Sequence, residues 1–227
     1  MPARNIVKTY IKNAYYHIYN RGVEKRTIFT DEQDFRVFLS YLKESLSKPV
    51  DKLKIKKSFT LKGSTFKGVP RQPKNFHQKI ELLAYCLMQN HFHFLVKQND
   101  NRTIKSFMQA LCTRYSIYFN KRHERVGSLF QGIYKAAMIT QDPYILHLSR
   151  YIHLNPGEHT KDLVNTYSSY GEYLGVRKTE WIKPDFILKY FQNKTFPETE
   201  KFNSYKKFVE VYKKDSGEVL NKLTLED

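Results

Sequence analysis

The feature that most constrains the fold is a pair of apolar runs, residues 80–87 and 91–97, that flank a polar pair at residues 89–90. Two such runs with a short polar connection predict an antiparallel β-hairpin. The second run carries His91 and His93, which alternate with apolar residues. Because alternate residues of a strand share a face, both imidazoles are expected on one face of a sheet, opposite the core. Two imidazoles on one strand face can share a metal ion, although an isolated pair of this kind is more often two half-exposed surface histidines.

Composition limits the partners and the compartment. The 227 residues include 39 Lys and Arg against 22 Asp and Glu, which gives a net charge of +17. An excess of this size favours a polyanion, most simply nucleic acid, with a membrane surface as the alternative. No apolar run approaches the roughly 20 residues of a membrane-spanning helix, and the first residues lack the core of a signal peptide. Cys86 and Cys112 lie among apolar neighbours, so we expect buried free thiols, a cytoplasmic protein and no membrane partner.

The elements around the hairpin predict an α+β fold. Alternating aromatic and polar residues predict a strand over residues 13–20. Apolar residues at three- and four-residue spacing predict a helix over residues 31–48, with a capping box that begins at Thr30. A second helix is expected to end near His123, and a strand over residues 129–139 follows it. The order β-α-β-β-α-β is that of the ferredoxin-like arrangement, an antiparallel sheet with both helices on one face.

Residues 52–79 interrupt this pattern. The segment contains no acidic residue, and Phe59, Phe66 and Phe76 are spread among its basic residues. It is either a basic loop that grips phosphates and stacks its rings on bases, or a solvated surface insertion, and both alternatives place it outside the core. The basic residues that would contact DNA in the first case are Lys54, Lys56, Lys57, Lys62, Lys67, Arg71 and Lys74.

A later helix supplies further chemistry. An Asp-Pro pair predicts a helix start at Asp142, and Tyr151 and Asn155 then lie one turn apart on the same side of that helix. If the helix packs across the open sheet face, His91, His93 and Asn155 can hold a divalent ion beside Tyr151. A divalent ion stabilises the charge that develops at a phosphate during phosphodiester cleavage, and a tyrosine can supply the nucleophile.

Each of these residues also has a structural explanation. Tyr151 can be a helix tyrosine that packs its ring, and Asn155 can be a helix cap before proline. Tyr115 and Tyr118 are rival nucleophiles, although their position in an apolar stripe favours core packing for both. His147, one turn before Tyr151, is expected either to contact DNA or the phenol, or to be a solvated helix residue.

Four segments together resemble a known family. They are YHIYNRG, MQNHFHFLV, GSLFQGIYKA and RYIHLNP, and in this order they resemble the single-tyrosine HUH transposases, especially the REP-associated tyrosine transposase branch. The resemblance covers about residues 13–160. It implies that His91 and His93 bind the metal, that Tyr151 is the nucleophile and that Asn155 is the third ligand.

The resemblance also implies an activity. It implies a transposase that cleaves single-stranded DNA at a hairpin or imperfect palindrome, with Mg²⁺ or Mn²⁺, a 5′-phosphotyrosine intermediate and a free 3′-OH. No small-molecule cofactor is expected. Two nitrogen donors and one amide oxygen suit Mn²⁺ better than Mg²⁺, although cellular supply can still make Mg²⁺ the working ion.

The chain departs from the compact members of this family in its length. We expect a catalytic domain over residues 1–160, with a basic insertion at 50–79, and a helical C-terminal extension over residues 161–227. Compact members form homodimers and the REP-associated branch is thought to act as a monomer, so both states stay open. Beyond the insertion, the residues expected to contact DNA are Arg114, Arg122, Gln131, Lys135, His147 and Arg150.

Two other functions compete with this one. A domesticated member of the family would keep the fold and the basic surface but only bind structured DNA or RNA. An RNA-binding domain of the RRM kind is the weaker alternative, because histidines occupy the central strand where stacking aromatic rings would be needed.

Overall fold

The computed structural model describes residues 10–140, 142–193 and 197–211 of the chain. Its strands are β1 (Tyr15–Arg21), β2 (Lys57–Leu61), β3 (Ser64–Gly68), β4 (Ile80–Met88), β5 (His91–Gln98) and β6 (Lys135–Ile139). Its α-helices are α1 (Glu32–Leu46), α2 (Thr103–Arg122), α3 (Asp142–Leu154), α4 (Tyr170–Tyr173), α5 (Asp185–Asn193), α6 (Pro197–Glu200) and α7 (Tyr205–Glu210). None of these helices is long and apolar enough to cross a bilayer.

The central sheet has the topology that the sequence predicts. Four antiparallel strands lie in the order β4-β5-β1-β6, and β2 pairs only with β3 in a separate hairpin. Without that inserted hairpin the chain order is β-α-β-β-α-β, which confirms the ferredoxin-like arrangement. In the register of β1 and β5, Tyr19 lies opposite His93 and Arg21 opposite His91.

The two faces of the sheet carry two separate apolar clusters. On the face covered by α1 and α2, Phe92, Phe94 and Val96 are fully buried, as the alternation in β5 predicts. On the other face, α3 packs its apolar side against the sheet, and this second cluster includes Ala84, Cys86, Leu95, Ile139, Ile145, Leu148 and Ile152. The predicted crossing of the open face by the tyrosine helix is therefore confirmed. Both cysteines are free, Cys86 being buried and Cys112 half-buried.

Two predicted boundaries are wrong for local reasons. Helix α1 is capped by Asp31, whose carboxylate accepts from the N–H groups of Gln33 and Asp34, so the cap lies one residue later than a start at Thr30 would put it. The strand predicted over residues 129–139 begins only at residue 135. Leu129 and Phe130 are buried in a loop rather than in a strand, and this loop includes two glycines with positive φ.

The insertion is exposed, with one exception. Every residue of β2 and all but the last of β3 are exposed, which agrees with a position outside the core. Phe76 is different, because it is 5% exposed and packs edge-on against Phe107 in the cluster beneath α1 and α2. The expectation that Phe76 offers its ring to a base is therefore wrong.

The C-terminal extension covers a sheet edge. The residues described after 160 include the helices α4 to α7. Backbone N–H groups of Ser169 and Lys183 donate to the carbonyls of Tyr85 and Leu82, at 3.0 and 2.9 Å, so the extension caps the outer edge of β4. The predicted domain boundary at residue 160 stays a prediction, and the extension shares an apolar cluster with α3.

A close backbone approach fixes the end of β1. A Cβ atom on Gly22 would lie 2.2 Å from the carbonyl oxygen of Arg26 and 2.9 Å from a methyl carbon of Ile28. The N–H of Gly22 donates to the carbonyl of Asn90 at 2.8 Å, so this glycine holds the segment after β1 against the turn between β4 and β5. Only a residue without a side chain fits this approach.

Gly22→Ala is expected to lower the free energy of unfolding by about 1–3 kcal/mol, because backbone atoms must shift to admit the methyl group. The measurement is urea unfolding followed by circular dichroism. Gly157→Ala is the matched control, since its Cβ would meet only the Leu163 side chain at an ordinary 3.6 Å. Equal unfolding midpoints for the two variants would contradict the prediction.

Candidate metal and nucleophile site

Strand β5 places both predicted histidines on the face that α3 covers, but with unequal burial. His93 is completely buried, whereas His91 at the end of the strand is half-buried. Their ring centroids lie 5.0 Å apart, with the ring planes nearly perpendicular. The alternative of two half-exposed surface histidines therefore holds at most for His91.

Both ring nitrogens of His91 face amide oxygens. Its Nδ1 lies 2.6 Å from Oδ1 of Asn90, and its Nε2 lies 3.3 Å from Oδ1 of Asn155. The amide nitrogens of these asparagines are used elsewhere, since they donate to the carbonyls of Lys25 and Tyr151, so both oxygens are fixed toward the ring. A neutral imidazole carries one N–H, and the shorter contact takes it. The lone pair on Nε2 then faces the amide oxygen of Asn155, an arrangement that a cation between the two atoms would stabilise.

The buried histidine has an unused nitrogen. His93 Nδ1 lies 2.9 Å from Nε2 of His17, whereas Nε2 of His93 is buried without a hydrogen-bond partner. Burial lowers the pKa of His93 well below its usual range, and the neighbouring His17 and His91 act in the same direction. The ring is therefore neutral near pH 7, and if its Nδ1–H donates to His17, its Nε2 offers a lone pair.

His17 is a site residue that the sequence analysis missed. It is completely buried on β1, and its ring stacks on that of His93 with centroids 5.1 Å apart. A signal was present, because the predicted topology places the first strand beside the third. The alternation that puts Phe residues of β5 in the core also puts His17 on the face of His91 and His93.

Helix α3 brings Tyr151 to the histidines of its own chain. The ring centroid of Tyr151 lies 5.4 Å from that of His93 and 6.3 Å from that of His17, in both cases edge to face. Asn155 follows one turn later, at the start of a 3₁₀ segment with Pro156. The structure thus brings together all four residues that the sequence singles out: His91, His93, Tyr151 and Asn155.

These residues fit a divalent ion. Among the described residues no group of three or more His, Cys, Asp or Glu is placed to hold a metal, and the candidate set here differs because its third donor is an amide oxygen. Ligands about 2.1 Å from one octahedral ion lie about 3 Å apart, close to the 3.3 Å between His91 Nε2 and Asn155 Oδ1. The unpartnered Nε2 of His93 adds a second imidazole donor.

Some of the predicted DNA contacts lie near the site, and others do not. Lys135 is on the site face of β6, with its ammonium 5.8 Å from the ring centroid of Tyr19. Gln131 accepts from the guanidinium of Arg21, which lies opposite His91 in the sheet. Arg21 is thus a basic residue at the site that the sequence analysis did not select.

Arg150 and His147 face the extension instead. The Arg150 guanidinium is buried 4.3 Å from the ring centroid of Phe208 in α7, and it donates to the carbonyl of Phe208 and to Nδ1 of His147. The predicted DNA contact through Arg150 is therefore wrong, because α7 covers this side of α3 and buries the guanidinium.

Two further arginines lie on the opposite side of the molecule. Arg114 pairs with Glu44 at 2.7 Å, and Arg122 pairs with Asp31 and Asp34 at 2.6 Å each. These ion pairs join α2 to α1, away from the histidines, so the structure assigns both arginines to helix packing rather than to the site face. The seven predicted basic residues of the insertion, Lys54, Lys56, Lys57, Lys62, Lys67, Arg71 and Lys74, are all exposed.

The rival tyrosines pack in the helix layer. Tyr115 is completely buried, and its hydroxyl donates to the carbonyl of Ile28 at 2.5 Å. Tyr118 donates to the carboxylate of Asp34 at 3.0 Å. Burial is the largest cause that raises the pKa of each phenol. Neither tyrosine is near the histidines, which supports core packing for both.

Comparison with known proteins agrees with this geometry. Residues 69–155, which include both histidines, Tyr151 and Asn155, match the family described as "Transposase IS200 like". This part of the chain, which contains the candidate site, is similar to the IS200-like transposases. No curated protein matches it in sequence.

Two solved structures are similar to parts of this chain, and the first of them supports the fold. One is the REP-associated tyrosine transposase bound to a REP hairpin, with a TM-score of 0.50 and 13% identity over 80% of this chain and 98% of the other. Another, described as a transposase from Deinococcus radiodurans R1, has a TM-score of 0.36 and 14% identity over 67% and 95% of the two chains. The family match and the fold of the first structure together support a transposase role for this IS200-like chain.

A buried polar network fixes helix α3, which carries Tyr151, to the C-terminal extension. His153 of α3 is completely buried, with Nδ1 2.7 Å from the hydroxyl of Tyr205 and Nε2 2.8 Å from that of Ser169. Tyr205 also donates to Ser149 at 3.0 Å. Burial, followed by the positive charge of Arg177, lowers the pKa of His153 to about 3. A neutral imidazole therefore joins α3 to α4 and α7.

This network predicts acid sensitivity. The folded-state pKa of His153 is depressed, so the unfolded chain takes up its proton first, below the ordinary histidine value of about 6.5, and stability falls as the pH decreases from there toward 3. Each unit in that window removes up to about 1.4 kcal/mol. His153→Phe is expected to be less stable than the parent at pH 8 but to lose less stability between pH 6.5 and 5.

Thermal unfolding across this pH range measures the effect. His159→Gln is the control, because His159 is exposed and its replacement should leave the pH slope unchanged. The other histidines that are buried in the parent are unchanged in both variants, so only the difference in slope is diagnostic. Identical slopes for His153→Phe and the parent would refute the assignment.

Proposed function

We propose that this chain is a metal-dependent transposase that cleaves and rejoins single-stranded DNA at a hairpin or palindromic site. The observation that carries the proposal is the meeting of three donor atoms, His91 Nε2, Asn155 Oδ1 and the unpartnered His93 Nε2, beside the ring of Tyr151. The REP hairpin bound by the relative of the same fold supports structured DNA as the substrate. With DNA as substrate, the cytoplasm is the proposed compartment.

Tyr151 is the proposed nucleophile. Its phenolate oxygen attacks the phosphorus, the bond from phosphorus to the 3′ oxygen breaks, and a 5′-phosphotyrosine forms. The 3′ oxygen gains a proton in place of the one that the phenol loses, so no net acid or base is consumed. Attack by a 3′-OH on the phosphotyrosine reverses these bond changes and completes strand transfer. An unperturbed tyrosine titrates near 10, so positive charge beside the phenol favours the reactive form.

His91, His93 and Asn155 are the proposed holders of Mg²⁺ or Mn²⁺. When bound, such an ion acts as a Lewis acid on the phosphate and neutralises charge in the transition state. The residues themselves prepare the donors. Asn155 is held by its bond to the Tyr151 carbonyl, and His93 is kept neutral by burial, so neither group must lose a proton to bind the cation.

The basic residues of the site face are proposed to orient the strand. Arg21 and Lys135 lie on the face that carries the histidines, where they can contact phosphates on either side of the cleaved one. Such phosphate contacts fix the position of the DNA strand on the protein but do not distinguish one base from another. Because Tyr151 lies against His93 of the same chain, one copy contains the complete set of reacting groups, and we propose that the tyrosine acts in cis as a monomer.

Tyr151→Phe is expected to abolish the covalent protein–DNA adduct, because the attacking oxygen is removed while the ring and its packing remain. The measurement is denaturing gel analysis after incubation with a labelled DNA hairpin that carries single-stranded flanks, in Mn²⁺ and separately in Mg²⁺. Tyr144→Phe, two turns earlier on the same helix, is the control and should form adduct at the parent rate.

Three outcomes would overturn parts of the proposal. Adduct formation by Tyr151→Phe at the parent level would remove Tyr151 as nucleophile. A parent protein that binds the hairpin with strong salt dependence but forms no adduct in either metal would instead indicate a silent DNA-binding member of the fold. Recovery of cleavage on mixing Tyr151→Phe with His93→Ala would contradict action in cis.

His17 is proposed to position His93 for the metal. If His17 Nε2 accepts the Nδ1–H of His93, it fixes the tautomer whose Nε2 lone pair is available. His17→Phe keeps a stacked ring but removes the acceptor, so it should weaken Mn²⁺ binding by roughly 10- to 100-fold. His17→Gln supplies an oxygen acceptor and should retain most of the affinity.

Calorimetric titration of DNA-free protein with Mn²⁺ measures this effect without relying on cleavage. Unfolding curves of both variants exclude a general loss of structure. Unchanged Mn²⁺ affinity in His17→Phe would show that His17 only fills space beneath His93.

A further inference from the structure

The inserted β2–β3 hairpin separates aromatic and hydroxyl side chains onto two faces. Its register pairs Phe59 with Phe66 and Thr60 with Thr65, so the two rings lie together on one face and the two threonines on the other. Leu61 lies on the aromatic face as well. At Gly68, a Cβ would lie 3.5 Å from the Phe59 ring, so the ring lies over the end of β3.

The aromatic face is uncovered. Phe59, Leu61 and Phe66 are 44%, 67% and 56% exposed, whereas the aromatic residues of the main sheet are almost all buried. A two-stranded hairpin is marginally stable on its own, and contiguous exposed apolar side chains usually mark a binding surface. The hairpin thus has a face that a partner would stabilise.

The surrounding charge selects the partner. Residues 52–79 contain eight lysines, one arginine and no acidic residue. Lys57 and Lys67 lie on the strands themselves and Lys62 at their turn, all exposed. A second copy of this hairpin would bring like charges together, and an acidic polymer with flat rings matches both features. Single-stranded nucleic acid is such a polymer, since its unpaired bases stack on aromatic side chains while lysines contact its phosphates.

The insertion that carries the hairpin joins the sheet at the end opposite His91. The insertion rejoins the sheet at Ile80, which pairs with Gln98, and His91 begins the same eight-residue strand β5 that Gln98 ends. That strand is about 23 Å long at about 3.3 Å per residue. DNA that reaches both ends of the strand must therefore span about 23 Å. The donors of the candidate metal site all belong to residues outside the hairpin.

We propose that the β2–β3 hairpin is a second DNA-binding element, which stacks unpaired bases on Phe59 and Phe66 at a distance from the point of cleavage. The choice of DNA rests on the proposed function, whereas the single-stranded character rests on the exposed rings. Substrates with a flank long enough to reach the hairpin bind more tightly than those that end at the cleaved position.

The test compares two double variants of the same hairpin. Phe59→Ala with Phe66→Ala removes the rings, and Thr60→Ala with Thr65→Ala changes the opposite face of the same strands. Fluorescence anisotropy in EDTA measures binding of a DNA hairpin with a 3′ or 5′ single-stranded flank of about 15 nucleotides, and of the same hairpin without a flank. Removal of stacking on at least one base should weaken flank-dependent binding about 5- to 100-fold in the phenylalanine variant and leave the threonine variant unchanged.

Salt dependence separates the rings from the charges. Lys57→Ala with Lys67→Ala should reduce the slope of log affinity against log salt by about one for each phosphate that the protein no longer neutralises, whereas the phenylalanine variant should keep the parent slope. Because all these positions are exposed, unfolding curves should match the parent and confirm that the variants fold.

The outcomes are distinct from those of the cleavage test. Equal flank-dependent binding by the phenylalanine variant and the parent would overturn the proposal, whether or not Tyr151 forms an adduct. Tighter binding of RNA than of DNA of the same sequence would overturn the assignment to DNA. If the phenylalanine variant lost the binding to anionic lipid vesicles that the parent shows, with its DNA binding unchanged, the aromatic face would instead be a membrane-binding surface. A ring-dependent flank effect in a protein without any adduct would support the hairpin and refute only the nuclease.

Discussion

The arrangement of this site depends on a two-residue turn whose carbonyls are bound by a distant segment. The carbonyl of Gln89 accepts from the N–H groups of Ile28 and Phe29 at 2.8 and 3.0 Å, and that of Asn90 accepts from Gly22 at 2.8 Å. These bonds fix where the turn lies relative to the end of β1, and His91 is the next residue. The position of a candidate metal donor therefore follows from main-chain hydrogen bonds, which stay in place when side chains change.

The same strand serves the core and the chemistry because its residues alternate. Phe92 and Phe94 anchor β5 against α1 and α2, and this anchoring forces His91 and His93 onto the face beneath α3. A slip of one residue would exchange the two sets, so core packing protects the register of the site. Covering the second face with α3 also buries His93, and burial lowers its pKa and keeps its imidazole neutral. A neutral ring is what a metal donor requires.

The parts of the fold that the sequence predicts are those set by short-range periodicity. Alternation placed His91 and His93 on one face, and four-residue spacing placed Tyr151 beside Asn155, because both rules involve only neighbours along the chain. The failures involve distant partners. Arg122 pairs with Asp31, ninety-one residues earlier, and Arg150 packs on Phe208, fifty-eight residues later, so the charge of either residue could not reveal its role. His17 was within reach of the same alternation rule, once the pairing of β1 with β5 was assumed.

The C-terminal extension occupies the outer edge of the sheet. A dimer that joined two sheets through β4 would need free N–H and C=O groups along that edge, but residues 167–183 already bond to Leu82, Tyr85 and Leu87 there. The extension also packs against α3, through the buried contacts of His153 with Tyr205 and of Arg150 with Phe208. The extension therefore both closes the edge of the sheet and holds the tyrosine helix in place. In this arrangement the ring of Tyr151 lies beside the histidines of its own chain.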